Sequence, residues 1–154
     1  MAIDFHSALS FTDDDCDRPK SAPEGWLVAT LGQYELQETK GAEPKGIIVF
    51  PLLDIEPHPE TDVTSNAWKG VNFEKLRSPY RKMLTAEFWL TPAARYHLAD
   101  ACTRLVGRPN VSVEERVNDL KGLRVMFRVA PVMEDGKDTG QNTVDSRTLT
   151  PFNN

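Results

Sequence analysis

The chain has 154 residues, 40% of them hydrophobic and 27% charged, with a formal net charge of −5; this balance fits one folded domain and excludes wholesale disorder and fibrous repeats. No apolar run reaches the roughly 20 residues that a membrane helix needs, and the N-terminus lacks the basic, apolar and small-residue pattern of a secretory leader, so a cytoplasmic protein with no membrane partner is expected. Cys16 and Cys102 are too scattered, among themselves and from His6, His58 and His97, for a disulfide framework or a zinc site.

Residues 1–24 hold six acids (Asp4, Asp13, Asp14, Asp15, Asp17 and Glu24) against two bases, Arg18 and Lys20, and show no sustained period of 2 or 3.6. They read as an acidic N-terminal arm, with residues 25–154 as the domain. Ile3, Phe5, Leu9 and Phe11 give the arm a means of docking. The carboxylates of Asp13, Asp14 and Asp15 read as part of a proline-flanked acidic tail rather than as a cation site.

A first strand is expected over 26–37, with Gly32 placed where a bulge or sharp bend curls a sheet. Ile47, Ile48, Val49 and Phe50 open a second strand that Pro51 forces either to bend or to lie at an edge. Residues 56–79 form a connection much longer than usual, broken by Pro57, Pro59 and Pro79, and long ordered loops are often functional. Residues 81–90 alternate as a third strand, with Leu84, Ala86, Phe88 and Leu90 on one face and Met83, Thr85, Glu87 and Trp89 on the other.

The period then changes. Thr91-Pro92 is a helix start, and Ala94, His97, Leu98, Ala101, Cys102 and Leu105 share one face until Gly107 and Pro109. His97 reads as a core histidine rather than a ligand or base. Ser112 and Glu115 make a capping-box pattern for a short second helix. Leu123, Val125, Phe127 and Val129 alternate in a fourth strand whose other face carries Arg124 and Arg128. Asp135-Gly136 is a turn, and 141–149 is a fifth strand polar enough to be an edge.

No Gly-x-Ser-x-Gly elbow, Gly-x-x-x-x-Gly-Lys loop or His-Glu-x-x-His helix is present, so a non-enzymatic protein without cofactor or metal is expected. One stretch stands above background. Residues 69–82 carry Lys69, Lys75, Arg77, Arg81 and Lys82 against the single acid Glu74, interleaved with Trp68, Phe73 and Tyr80. Unpaired bases stack on aromatic rings while phosphates need nearby cations, so this pattern suits a nucleic-acid single strand. Tyr34, Trp68, Phe73, Tyr80 and Trp89 are the stacking candidates; Lys69, Lys75, Arg77, Arg81, Lys82, Arg124 and Arg128 are the phosphate candidates. The competing reading, in which Phe73 and Tyr80 pin the loop to the body and the lysines merely solvate it, stands beside this one.

Three strands, a helical insert and two strands match the layout of an oligonucleotide-binding (OB) fold: mainly β with α, a five-stranded barrel with a helix between strands 3 and 4. Phe88-Trp89-Leu90-Thr91-Pro92 leading into the helix, Leu120-Lys121-Gly122-Leu123-Arg124-Val125 and Asn142-Thr143-Val144 resemble segments of small bacteriophage proteins regarded as single-stranded DNA-binding or replication-accessory proteins. The similarity covers roughly residues 25–152. The resemblance implies a protein that coats single-stranded DNA in replication or recombination, with replication or recombination proteins as partners. Self-association through the exposed edge of the fifth strand is expected as well. A capsid, tail or protein-interaction module built on the same barrel is the alternative.

Overall fold

The computed structural model describes residues 2–12 and 20–153; Asp13, Asp14, Asp15 and Cys16 lie outside the described residues. Six strands form one antiparallel sheet: β1 (Gly25–Leu31), β2 (Glu35–Glu38), β3 (Gly46–Pro57), β4 (Thr85–Trp89), β5 (Arg124–Glu134) and β6 (Lys137–Pro151). Among the described residues three α-helices accompany them: α1 (Phe5–Leu9), α2 (Tyr96–Val106) and α3 (Val113–Arg116).

The expected first strand is two strands, because the chain bends at Gly32 as its sequence foretold. The Gly32 N–H donates to Pro51 O at 2.8 Å, and a Cβ at Gly32 would stand 2.8 Å from Pro51 Cγ. Only glycine allows the two backbones to approach this closely. Opposite this bend β3 changes partner on one side, pairing with β2 through residues 46–49 and with β1 through residues 52–57. Its other side pairs with β4 up to Pro51↔Thr85. Pro51 therefore sits inside the sheet at a change of partner, and not at an edge.

β1 also pairs with β5, and β5 with β6. Ser146 on β6 reaches β4 through its side chain, its hydroxyl donating to Glu87 O at 2.9 Å and accepting from Glu87 N–H at 3.3 Å. No backbone ladder joins these two strands, so the sheet is not closed into the five-stranded barrel expected from the sequence. α2 and α3 follow the fourth strand rather than the third, since the first expected strand counts as two. β6 is longer than the expected 141–149.

Alternation places Leu27, Ala29 and Leu31 of β1, Ile48, Phe50 and Leu52 of β3, Ala86 and Phe88 of β4, and Val125, Phe127 and Val129 of β5 in one core. α2 closes it with Leu98, Ala101 and Cys102. The helix begins later than Thr91: residues 91–95 make a turn, with Ala94 and Arg95 N–H groups donating to Thr91 O at 3.0 and 2.9 Å. His97 is half-buried with its ring 4.0 Å from that of Tyr96, at the margin of the core rather than inside it. The buried Arg116 ties α3 to α2 by donating to Thr103 Oγ1 (3.0 Å) and Gly107 O (3.3 Å).

The N-terminal arm contains a short helix that its sequence did not signal: Asp4 caps α1 by accepting from the N–H groups of His6 (3.1 Å) and Ser7 (3.3 Å). The chain meets the body at Ser21 and Ala22, both buried. Asn142, fully buried, stands in for a strand there, accepting from Ala22 N–H (2.9 Å) and donating to Ala22 O (2.8 Å).

Candidate nucleic-acid interface

The residues singled out from the sequence separate into three groups. Tyr34, Trp68 and Phe73 are committed to packing. Tyr34 lies half-buried with its ring 5.9 Å from Phe50, and its hydroxyl donates to Asn118 Oδ1 at 3.5 Å. Trp68 and Phe73 stack on each other, centroids 6.0 Å apart and planes 22° from parallel, and both rest against the core. They pin the long connection to the body, the structural role that the sequence left open for Phe73 but not for Trp68.

Arg81, Arg124 and Arg128 are committed to carboxylates. Arg81 donates to both oxygens of Glu87, at 3.2 and 2.9 Å, and the Thr85 hydroxyl donates to the same carboxylate at 2.6 Å. Arg124 donates to Thr30 Oγ1 (3.2 Å), Asp54 O (2.7 Å) and Glu56 Oε2 (2.9 Å). This guanidinium clamps a bulge in β3, where Val28↔Glu56 and Thr30↔Leu53 leave an extra residue and Asp54 takes φ 50°. Arg128 pairs with Glu24. Arg124 and Arg128 are thus structural, not an extension of a cationic track.

Tyr80, Arg81 and Lys82 come together around one concavity, and Trp89 lies farther along β4 on the same outward side of the strand. β4 alternates as expected, so Thr85, Glu87 and Trp89 point away from the core, paired with Pro51, Val49 and Ile47 of β3. Trp89, 46% exposed, stands about 13 Å along the strand from Thr85. Tyr80 is 98% exposed on the turn that leads into β4, with φ 62°. Between this turn and β2 lies a concavity of about 320 Å³, floored by Val49, Pro51 and Thr85 and walled by Tyr80, Lys82, Met83 and Gln37. Glu35 borders it as well.

Lys69, Lys75 and Lys82 are exposed and Arg77 is half-buried; none has an ion-pair partner among the described residues. Beyond Met83 a second groove, of about 340 Å³, is rimmed by Asp54, Glu56 and Glu74. Its acid rim carries the charge that repels phosphate, whereas Lys82 stands on the opposite side of Met83.

The sequence reading missed Gln37, Val49 and Pro51 as lining residues. Their place depends on cross-strand register, which no single strand's alternation reveals. It also missed Tyr96, 55% exposed, and Arg147, whose guanidinium is held above its ordinary value first by its bond to Asp145. No helix among the described residues is long and apolar enough to cross a membrane. Among them no group of three or more His, Cys, Asp or Glu side chains gathers to hold a metal. Comparison with protein-family models, curated proteins and solved structures finds no match.

Proposed function

We propose that the chain binds single-stranded DNA without catalysing a reaction, on the outer face of β3 and β4, with Tyr80 and Trp89 as stacking platforms and Lys82 as the nearest phosphate contact. The observation that carries this reading is Tyr80: a large ring fully in solvent, on a left-handed backbone, at the lip of a concavity. A non-glycine residue in that conformation costs on the order of 1–2 kcal/mol, and the exposed ring recovers none of it by packing. A strained backbone that carries a large, unpacked ring supports a functional reading.

The pairing scheme supports an open relative of the OB layout, with one bent strand shared between β3 and β5 and the β4–β6 seam held by Ser146. The resemblance of residues 88–92, 120–125 and 142–144 to segments of small phage proteins supports replication or recombination as the setting. Because three of the seven candidate cations are bound to carboxylates, stacking dominates and neutralisation is modest. The test is a titration with fluorescent oligo-dT at several salt concentrations. One to four phosphate contacts give a log–log slope between about −0.7 and about −2.8. No binding at low salt removes the reading.

A protein-interaction module is the second reading. It is favoured by the acid-rimmed groove, where Leu53 and Met83 are 40% and 38% exposed.

A further inference from the structure

Two of the unpartnered apolar surfaces among the described residues complement each other. The first is segment 3–11. Ile3, Phe5, Leu9 and Phe11 are 67%, 69%, 70% and 53% exposed, and α1, which holds two of them, buries nothing. Phe5 and Leu9 stand four residues apart, on one face of the helix. A helix of five residues does not persist alone in water, and four large apolar side chains within nine residues gain nothing from remaining in solvent.

The second is a groove of about 520 Å³ beside α2, floored by Leu98 and walled by Leu90, Tyr96, Ala99 and Val113. Its lining is mostly apolar. Arg95 stands on its rim, exposed, with no ion-pair partner among the described residues. Segment 3–11 carries Asp4 and no lysine or arginine, so its charge complements that cation.

We propose that segment 3–11 of one copy of the chain docks in the α2 groove of a second copy, with Phe5 and Leu9 inserted between Leu90 and Val113. Exchange in both directions fills both grooves and gives a closed dimer related by a two-fold axis. The single chain carries the segment with all four side chains more than half exposed, which favours the second copy over the same chain as acceptor. The inference does not rest on DNA binding.

Sedimentation equilibrium of the full chain over a concentration series, without nucleic acid, tests it. The wild-type mass should rise to twice that of the 17.3 kDa monomer. The double variant Phe5→Ser, Leu9→Ser, which changes only exposed side chains, should remain monomeric. Ala99→Glu, which blocks the groove, should also remain monomeric. Mixing the two variants should restore the doubled mass, because one intact segment and one intact groove remain. A dimer that persists in the Phe5→Ser, Leu9→Ser variant, or a wild type that stays monomeric throughout because the segment docks on its own body, overturns the proposal. If Ala99→Glu does not fold, as read by circular dichroism, the segment variant decides alone. Oligonucleotide titration of the segment variant reports separately on the DNA face.

Discussion

At Tyr80 the demands of folding and of binding pull apart, and that separation can be measured. The left-handed backbone favours glycine over tyrosine, so Tyr80→Gly should leave the melting temperature unchanged or raise it. The same change removes the exposed ring, and loss of one stacked base costs about 1–3 kcal/mol, roughly five- to 150-fold in affinity for oligo-dT. Arg124 behaves in the opposite sense. Its donors hold Thr30, Asp54 and Glu56 together, so Arg124→Ala should cost on the order of 1–3 kcal/mol in chemical denaturation while leaving the salt slope of binding as it was. Lys82→Ala should spare stability and flatten that slope by about 0.7. Composition made these cations look alike, and only the carboxylate beside each one tells them apart.

Among the elements, β4 was the most legible, because period-2 alternation fixes both its faces and put Trp89 outward. The bend at Gly32 was legible for a related reason, since a glycine interrupting an apolar alternation has few other uses. Gly32→Ala should destabilise the fold by about 1–3 kcal/mol, measured by denaturant titration, because the new methyl meets Pro51 Cγ, part of a rigid ring. What the sequence hid was long-range. Trp68 and Phe73 sit in a polar, proline-rich connection whose composition says surface, yet they turn inward on contacts that no local period encodes. The junction of arm and body was equally hidden, because Asn142 lies 120 residues from Ala22.

The arm junction also carries a pH dependence. Asp138 accepts from Ser21 N–H (3.1 Å) and Gly140 N–H (2.8 Å). Burial pushes its carboxyl up, but the Gly140 bond, the Ser21 bonds and the charge of Lys20 together hold it below the ordinary 3.8. A depressed folded-state value means that this contact stabilises fully above the ordinary carboxylate range and is lost as pH falls through the lowered value. Hydrogen exchange of the Ser21 amide should therefore lose protection at pH values below 3.8 while the β1 and β5 amides stay protected. Protection of Ser21 that persists through that range would contradict the assignment.

For the whole molecule, a net charge of −5 gives no general attraction for nucleic acid, so the proposed binding rests on one face. That face combines the exposed rings of Tyr80 and Trp89 with Lys82 at the lip of an uncharged floor, and the carboxylates beyond Met83 would repel a bound strand. The most direct measurement is therefore fluorescence titration of oligo-dT against the wild type and Tyr80→Gly, at low salt and in parallel. The expected result is saturable binding by the wild type and a loss of roughly five- to 150-fold in the variant, whose melting temperature is not lowered. Equal affinity in the two proteins, or no saturation by the wild type, would contradict it.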